Sequence, residues 1–335
     1  MGSVCIYGGG NIAHSLVAAI SAVQPVTVIT RRPESWDLRM AFVQDGEMHE
    51  GLKEVNATSD ASAAGMADII FIALPQFAVE EAISSLLPNL KRGATVVFVP
   101  APAKTAEYAS RIVGRGCRVV GLQRVPFISR IIEYGHSVSI SLPRPIHKLV
   151  VSDISMRDIW SRNCKIWFGG DAEYLSSFLT FAFSNSNPLL HPSRLVVLFE
   201  NWRNRCYAYN PPFYGEWTDE SSKLYIAADM EMFKVMSCFP EIDLSTDYES
   251  VLSHYEVKSA PELTVKIRSI PSFKMILSPM KDVHGRLQPD FGSRYFTEDV
   301  PYGTKPIVEY ANQVGIRVPT IDYLAKEVLG MSTSI

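Results

Sequence analysis

The sequence lacks an excess of charge of either sign. Its 335 residues include 32 Lys and Arg against 35 Asp and Glu, which gives a formal net charge of −3. Proteins that bind nucleic acid usually carry a clustered basic face, so this composition argues against nucleic acid as a partner. The sequence also lacks an apolar run long enough to cross a bilayer, which argues against a membrane-spanning helix.

Cysteine is scarce, and its spacing suggests no pairing. The five cysteines (Cys5, Cys117, Cys164, Cys206 and Cys238) form neither a CxxC motif nor the Cys/His pattern of a zinc site. They predict reduced thiols in a cytoplasmic protein that binds no metal. The chain also enters a strand-like apolar run within a few residues of its start, so we expect no signal peptide.

The strongest local signal is the stretch GGGNIA at residues 8–13, directly after a short apolar run. The spacing Gly8-x-Gly10-x-x-Ala13 follows a predicted strand and opens a predicted helix, which is the context that dinucleotide binding requires. Gly8 permits a tight turn, Gly10 lets a pyrophosphate approach the backbone, and Ala13 allows close packing of helix on strand. The predicted coenzyme contacts in this stretch are Gly8, Gly9, Gly10, Asn11, Ile12 and Ala13.

Apolar strands and helical segments alternate through the first half of the chain. Strands are predicted at 25–30, 67–75, 93–102 and 117–123, in addition to the one before the glycines. This alternation is typical of a doubly wound parallel sheet, so we predict an α/β, Rossmann-type domain over residues 1–150. Leu74 and Pro75, at the turn after the strand at 67–75, are further predicted coenzyme contacts.

The end of the second strand bears on the choice of coenzyme. Enzymes that use NAD usually place Asp or Glu about 20 residues past the glycines, where it holds the ribose hydroxyls. Thr30 stands at that place here, and Arg31 and Arg32 follow it. Guanidinium groups suit a 2′-phosphate, so the sequence favours NADP(H) over NAD(H). Two solvated loop arginines would give the same pattern.

After residue 150 the alternation stops, and we predict an all-helical second domain over residues 151–335. Helical patterns lie at 172–183, 194–207 and 220–239. His191 lies between two prolines just before a predicted helix, and Asp299 precedes another proline-started helix. A histidine that acts as general acid and base needs a carboxylate to fix its tautomer. A helix-start role for His191 and a helix cap at Thr297 or Asp299 would explain the same patterns.

Four blocks of sequence together resemble the opine dehydrogenases, the octopine/nopaline dehydrogenase family. They are YGGGNIAH at 7–14, NPLLHP at 187–192, RYFTEDVPYG at 294–303 and GIRVPTIDYLAKEVLG at 315–330. The resemblance implies a Rossmann-type domain followed by an all-helical domain similar to the C-terminal domain of 6-phosphogluconate dehydrogenase. It also implies a reductive condensation, in which an amino acid and a 2-oxo acid form an imine that a nicotinamide hydride reduces.

The same resemblance implies roles for individual residues. It assigns proton transfer to His191 with Asp299, and contact with the coenzyme phosphates to Arg294. Further candidates, for contact with the amino acid or the 2-oxo acid, are Arg124, Arg130 and Asn187, although Arg124 and Arg130 could equally be ordinary surface arginines. By analogy with other helical second domains, a homodimer is also expected.

Two other functions remain open from the sequence. A ketopantoate-reductase-like or β-hydroxyacid dehydrogenase would share the architecture, but such enzymes rely on a lysine that has no counterpart placed like His191. A protein that binds NADP(H) without chemistry, as a sensor or scaffold, would keep the glycines and need neither His191 nor Asp299.

Overall fold

The computed structural model describes residues 2–44, 46–51, 53–141, 143–204 and 207–333. The chain divides into two compact units, Met1–Phe181 and Ala182–Ile335. The sequence placed the boundary at residue 150, which lies on a strand (Ile146–Val151) in the last part of the first unit. A helix and one more strand follow it, and that strand joins the same sheet, so the first unit extends to Phe181.

The first unit contains twelve strands and four α-helices among the described residues. The strands are β1 (Val4–Tyr7), β2 (Val26–Ile29), β3 (Ala41–Gln44), β4 (Glu47–Glu50), β5 (Val55–Thr58), β6 (Ile69–Ile72), β7 (Thr95–Phe98), β8 (Arg118–Leu122), β9 (Ser129–Glu133), β10 (Ser137–Ile140), β11 (Ile146–Val151) and β12 (Asp171–Tyr174). The helices are α1 (Asn11–Ser21), α2 (Gln76–Leu86), α3 (Thr105–Val113) and α4 (Arg157–Asn163).

The main sheet has eight strands in the order β12-β11-β8-β7-β6-β1-β2-β5. The six strands from β8 to β5 are parallel, which confirms the predicted doubly wound α/β fold. Apart from the edge strand β5, their residues are mostly apolar on both faces because helices cover the sheet on both sides. One face packs against α1 and α4, and the other packs against α2 and α3.

A second, four-stranded sheet has the order β4-β3-β10-β9 and was missed by the sequence analysis. Its strands β3 and β9 are largely half-buried or exposed, so they lack the continuous apolar run that marks a strand of the main sheet. Val138 and Ile140 of β10 nevertheless pack into the core beside Leu16 and Val17 of α1. The helix that follows the glycines therefore lies between two sheets.

The second unit is mainly helical, as predicted, with one added β-hairpin. Its α-helices are α5 (Asn187–Leu198), α6 (Asp219–Met236), α7 (Leu244–Asp247), α8 (Val251–His254), α9 (Ala260–Ser269), α10 (Lys305–Gln313) and α11 (Pro319–Thr333). The hairpin consists of β13 (Met280–Val283) and β14 (Arg286–Pro289), and a π-helical segment spans Tyr295–Thr304. A buried carboxylate, Glu231 on α6, accepts hydrogen bonds from the first backbone N–H groups of α11, at Thr320 and Ile321.

Two predicted helices differ from the structure. Residues 172–183 form β12 and a 3₁₀ segment (Phe178–Ala182), because exposed and half-buried side chains alternate along β12 and its backbone pairs with β11. The helix predicted at 194–207 begins earlier and is the α5 helix, which ends at Leu198. The helix predicted at 220–239 corresponds to α6.

The described helices include none that is both long and apolar enough to cross a membrane. Cys5, Cys117 and Cys164 are buried free thiols, and Cys238 is an exposed one. Cys206 lies outside the described residues.

Candidate functional site

The glycine-rich turn joins β1 to α1 at the carboxyl edge of the parallel sheet. Gly8 has a left-handed φ of +143°, and a Cβ there would lie 2.3 Å from the carbonyl oxygen of Ala73. Its N–H donates to the carbonyl of Ile29 on β2, at 2.9 Å. The tight turn that the sequence predicts at Gly8 therefore requires glycine for both backbone angle and space.

Gly10 is glycine for a different reason. It is the N-cap of α1 and makes no side-chain cap bond, and a Cβ there would meet no protein atom within 4 Å. Packing within the protein therefore does not demand glycine at this position. The space in front of Gly10 fits a group that approaches the backbone closely, and the first N–H groups of α1 suit an anion such as a pyrophosphate.

The third glycine, Gly9, contacts two hydroxyl groups. A Cβ at Gly9 would lie 2.5 Å from the Tyr134 hydroxyl and 2.7 Å from Oγ1 of Thr30. The two hydroxyls are hydrogen-bonded to each other, 3.0 Å apart. Tyr134 thus joins the end of β2 to the glycine-rich turn, and the sequence analysis did not assign it a role.

His14, on the first turns of α1, holds the glycine-rich turn in place through two hydrogen bonds. Its Nδ1–H donates to the carbonyl of Gly10 at 2.9 Å, and its Nε2 accepts the N–H of Gly135 at 2.8 Å. The ring is fully buried, and burial lowers its pKa. A neutral imidazole with its proton on Nδ1 satisfies both bonds, so His14 ties the coenzyme turn to the β9–β10 hairpin.

The two arginines after Thr30 are exposed, but they differ in their surroundings. The Arg32 guanidinium lies over the Tyr134 ring, 3.9 Å from its centroid. A guanidinium stacked on an aromatic face is held in place while its N–H groups stay available. Tyr134 therefore orients one of the two arginines that the sequence links to coenzyme choice.

The other predicted coenzyme contacts lie around the same turn. Asn11 begins α1, and its side-chain oxygen accepts the N–H of Ile131 on β9 at 2.8 Å. Leu74 and Pro75 follow β6, the neighbour of β1, and Pro75 is the N-cap of α2. Ile12 and Ala13 continue α1, where Ala13 is fully buried, as expected for close packing of this helix.

In the second unit, His191 lies inside α5 rather than before it, which corrects the sequence analysis. Asn187 begins the helix, and Pro192 lies within it. Proline has no N–H, so Pro192 leaves the carbonyl of Pro188 without its helical partner. The Thr304 hydroxyl donates to that carbonyl at 2.6 Å. Because Pro192 leaves this carbonyl free, the hydrogen bond from Thr304 can join α5 to the end of the π-helical segment.

His191 is buried, with 7% of its surface exposed, and both ring nitrogens have partners. Nδ1 lies 2.6 Å from Oδ2 of Asp299, and Nε2 lies 2.7 Å from the hydroxyl of Tyr214. The carboxylate can only accept a hydrogen bond, so Nδ1–H donates to it, and Nε2 of the neutral ring accepts a hydrogen bond from the Tyr214 hydroxyl. The structure brings together the histidine and the aspartate that the sequence could not place relative to each other.

Aromatic rings enclose this histidine. The Tyr295 ring centroid is 4.3 Å from that of His191, and Phe213 approaches the imidazole edge-on at 5.8 Å. Burial raises the pKa of Tyr214 and of Tyr295, so both hydroxyls keep their protons. No role was predicted for either tyrosine from the sequence. The block NPPFYGEW at 210–217, two prolines before adjacent aromatics, was the available signal for Tyr214.

Asp299 and Arg294 lie on or beside the π-helical segment, not before a regular helix start. The side chain of Asp299 bonds His191 and makes no cap bond, whereas the segment continues directly into α10. Arg294 is 82% exposed in its side chain and forms an ion pair with Glu298, four residues on. Its guanidinium has N–H groups beyond those that Glu298 accepts.

The predicted substrate contacts are less well defined. Arg124 is exposed in the first unit, and the Arg130 guanidinium donates to the carbonyl of Ser129 at 2.9 Å. Asn187 is half-buried in the second unit, where its backbone N–H donates to the side chain of Asn185. None of these three contacts identifies a carboxylate-binding site.

Comparison with known proteins matches each unit to a family model. Residues 174–328 match the model described as NAD/NADP octopine/nopaline dehydrogenase, alpha-helical domain, and residues 3–102 match the model described as NADP oxidoreductase coenzyme F420-dependent. Octopine dehydrogenase from Pecten maximus is 25% identical, with 98% of this chain and 90% of that protein aligned. Tauropine dehydrogenase from Arabella iricolor is also 25% identical, over 95% of this chain and 88% of its own length.

The helical unit matches the octopine/nopaline dehydrogenase model, and the chain is similar to opine dehydrogenases over nearly all of its length. These are NAD(P)-dependent oxidoreductases, and both units of the chain are represented in the matches. The fold agrees with a solved structure of octopine dehydrogenase bound to NADH and L-arginine, at a TM-score of 0.84 and 22% identity. That match covers 98% of this chain and 90% of the solved one. In this chain the sheet unit carries the glycine-rich turn and the helical unit carries the buried histidine.

Proposed function

We propose that this protein is an NADP(H)-dependent opine dehydrogenase that joins an amino acid to a 2-oxo acid by reductive condensation. The observation that carries the proposal is the His191–Asp299 pair, 2.6 Å apart, within the unit that matches the family's helical domain. A buried histidine on a carboxylate is suited to take and return protons near neutral pH.

The reaction needs such a group at two steps. The amine must lose a proton before it attacks the carbonyl carbon, and the resulting carbinolamine must gain one to release water. His191 serves both steps, while Asp299 holds its Nδ1 proton and stabilises the imidazolium that forms between them. The bound coenzyme supplies the hydride that converts the imine into a secondary amine.

The residues of the glycine-rich turn fit the coenzyme. Gly8, Gly10 and the N-terminus of α1 would hold the pyrophosphate, with Leu74 and Pro75 on the neighbouring strand end. The fit rests on Gly10, where a side chain would fill the space in front of the helix without touching the protein. Arg294 remains a proposed contact to the phosphates.

The proposed preference for NADP(H) rests on Thr30, Arg31 and Arg32. Tyr134 supports it, because its ring holds the Arg32 guanidinium beside the end of β2 and its hydroxyl bonds Thr30. No acidic side chain stands at the end of β2 to hold the ribose diol that NAD(H) presents.

The remaining assignments are proposals as well. Arg124, Arg130 and Asn187 would contact the carboxylates or the amine of the substrates, and the amino acid and the 2-oxo acid themselves are left open. A homodimer in the cytoplasm is proposed by analogy with other enzymes of this build. The reductase and sensor alternatives are not favoured, because the helical unit matches the octopine/nopaline dehydrogenase model and His191 is held by a carboxylate.

A substrate matrix tests this function directly. Amino acids, including L-arginine, are paired with 2-oxo acids, including pyruvate, and coenzyme oxidation is followed by absorbance with NADPH and with NADH. We expect oxidation that requires both substrates and is faster with NADPH. Oxidation with a 2-oxo acid alone would indicate a hydroxyacid dehydrogenase instead. Coenzyme binding without oxidation in any pair would indicate a sensor.

A further inference from the structure

The Nε2 nitrogen of His191 is not directly accessible to a substrate. Nδ1 is bound by Asp299, and Nε2, the nitrogen left for acid–base chemistry, is bound by the Tyr214 hydroxyl at 2.7 Å. Either Tyr214 must leave when a substrate binds, or the proton must pass through its hydroxyl. The packing around Tyr214 distinguishes these two possibilities.

Tyr214 is held too firmly to leave. Its ring stacks on Phe273 at 4.3 Å and 21°, and Phe213 packs against it edge-on at 4.9 Å. The ring is also nearly parallel to that of Trp217, with the centroids 6.2 Å apart and an angle of 14° between the planes. Only 5% of the residue is exposed. Each aromatic pair of this kind favours the observed position, so a swing of the ring would break several contacts at once.

The hydroxyl of Tyr214 has a second partner. It shares a hydrogen bond with the hydroxyl of Tyr295, and Tyr295 is only half-buried. Asp299, His191, Tyr214 and Tyr295 therefore form one continuous chain of hydrogen bonds. The chain passes through the buried imidazole and the buried Tyr214, and both of its end residues, Asp299 and Tyr295, are partly exposed.

We propose that His191 exchanges its proton with the substrate through the hydroxyls of Tyr214 and Tyr295, which together form a relay. This proposal rests on the proposed function and deepens it, because it names the groups that connect His191 to the reaction. In this scheme Tyr214 passes the proton between His191 and Tyr295, and Tyr295 provides the end of the relay that reaches the substrate.

The transfers balance at each step. As the carbinolamine loses water, the imidazolium gives its Nε2 proton to the oxygen of Tyr214, and Tyr214 gives its own proton to the oxygen of Tyr295. Tyr295 gives its proton to the departing hydroxyl, the C–O bond breaks, and water leaves. The imidazole becomes neutral, both tyrosines remain protonated, and the positive charge resides on the iminium that NAD(P)H then reduces. The same path run backwards removes the proton from the attacking amine.

The test compares Tyr214→Phe and Tyr295→Phe with Tyr255→Phe. Tyr255 is a buried tyrosine of the same unit outside the relay, so the control makes the same chemical change. With a substrate pair identified by the matrix, each relay variant is expected to lower kcat by roughly 10²-fold, at the low end of general acid–base catalysis. The KM values and the NADPH affinity should change little, and the Tyr255 variant should retain wild-type kcat.

Two measurements distinguish a relay from a structural role. The solvent deuterium effect on kcat should depend on deuterium content non-linearly in the wild type, since several protons move together, and linearly in Tyr214→Phe. In protein labelled with ¹⁵N-histidine, the Nε2 resonance of His191 should move in Tyr214→Phe and stay in Tyr255→Phe.

Either of two results would overturn the relay. One is Tyr214→Phe with wild-type or higher kcat, which would mean that Nε2 acts on the substrate directly. The other is an unchanged Nε2 resonance in Tyr214→Phe, which would mean that no hydrogen bond joins His191 to Tyr214. This second result can be obtained without measuring turnover. Failure of the proposed function would look different, because the wild-type protein itself would then show no amine-dependent oxidation.

Discussion

The glycine-rich turn of the sheet unit takes its form from a short stretch of backbone, whereas the histidine site of the helical unit is assembled from distant side chains. Residues 8–13 contain most of the first site, and their spacing alone predicts it. The second site combines His191, Tyr214, Tyr295 and Asp299. Its members come from α5, from the loop before α6, and from the π-helical segment.

This difference predicts how each site fails. A backbone site has few side chains to lose, so a substitution harms it by adding atoms where the ligand must lie. A side-chain site fails when one member is removed, and its members depend on one another. Substitutions in the glycine-rich turn should therefore reduce coenzyme binding, whereas substitutions in the histidine site should reduce turnover.

The largest effect is expected from adding a side chain at Gly10. Gly10→Val should abolish binding of NADPH, because the added atoms would occupy the space in front of the α1 N-terminus. Folding should be retained, since a Cβ there meets no protein atom within 4 Å. Fluorescence titration measures binding, and Gly330→Val, also in open space, is the control. Normal NADPH affinity in Gly10→Val would mean that the glycine-rich turn does not bind the coenzyme.

Removal of the histidine should affect turnover and spare binding. His191→Ala is expected to lower kcat by roughly 10²–10⁴-fold, the usual contribution of a general acid and base, with NADPH affinity nearly intact. The matched control is His254→Ala, because His254 forms an exposed pair with Glu249 in the same unit. Normal turnover in His191→Ala would reduce His191 to a packing residue of α5.

The interdependence of the pair can be measured separately. Asp299→Asn should also lower kcat, because it weakens the partner that fixes the imidazole tautomer. The double variant should lose little more than His191→Ala alone, as expected for residues that act as one unit. If its loss instead equals the product of the two single losses, the two residues act independently despite their 2.6 Å contact.

The preference for NADPH over NADH should depend on side chains near the glycine-rich turn. Arg31→Ala and Arg32→Ala should each weaken NADPH more than NADH. A hydrogen bond to a charged group contributes about 1.5–3 kcal/mol, which corresponds to roughly ten- to hundredfold in affinity. Arg39→Ala, another exposed arginine of this unit, is the control. Equal losses for the two coenzymes would remove the argument for NADP(H).

The smallest expected effect concerns stability and pH. Burial lowers the pKa of His14, so the unfolded chain binds a proton more readily than the folded protein. Stability is therefore lost as the pH falls below the ordinary histidine value of about 6.5. His147, whose pKa burial also lowers, adds a change of the same sign. Urea unfolding between about pH 8 and pH 5 measures it.

The contribution of His14 is isolated by a variant that cannot titrate. His14→Gln should show a shallower loss of unfolding free energy towards acid than the wild type, whatever its stability at neutral pH. His49→Gln, at an exposed position of the same unit, should keep the wild-type slope. An unchanged slope in His14→Gln would show that His14 titrates alike in the folded and unfolded chain.

The sequence predicted the parts of the molecule whose physical cause is local. Five of the six parallel strands from β8 to β5 are apolar runs, and the glycine-rich turn has fixed spacing, so these were predicted before the structure. The sixth, β5, has the sequence VNAT and was missed. The short strands β3, β4 and β9 were missed because their residues are largely exposed or half-buried and form no continuous apolar run. The burial of Val138 and Ile140 on β10 comes from α1, which lies elsewhere in the chain. The strand β12 was taken for helix because its pairing with β11 outweighs its local pattern.

The histidine site shows the same limit. The family resemblance named His191 and Asp299, but their contact joins residues 108 positions apart and no local pattern encodes it. Tyr214 and Tyr295 were missed for that reason, since their roles depend entirely on what surrounds His191. His14 and Tyr134 were missed in the sheet unit because the β9–β10 hairpin brings them together.

The π-helical segment carries both Asp299 and Tyr295, and so determines more than their individual positions. At the end of this segment the Thr304 hydroxyl donates a hydrogen bond to the carbonyl of Pro188, and a Cβ at Gly303 would lie 2.3 Å from the Pro188 ring. The carboxylate that bonds His191 and the Tyr295 ring that packs against it therefore lie on one segment, and that segment is joined to the helix of His191 itself. The tautomer of the imidazole and its shielding from solvent thus share one support.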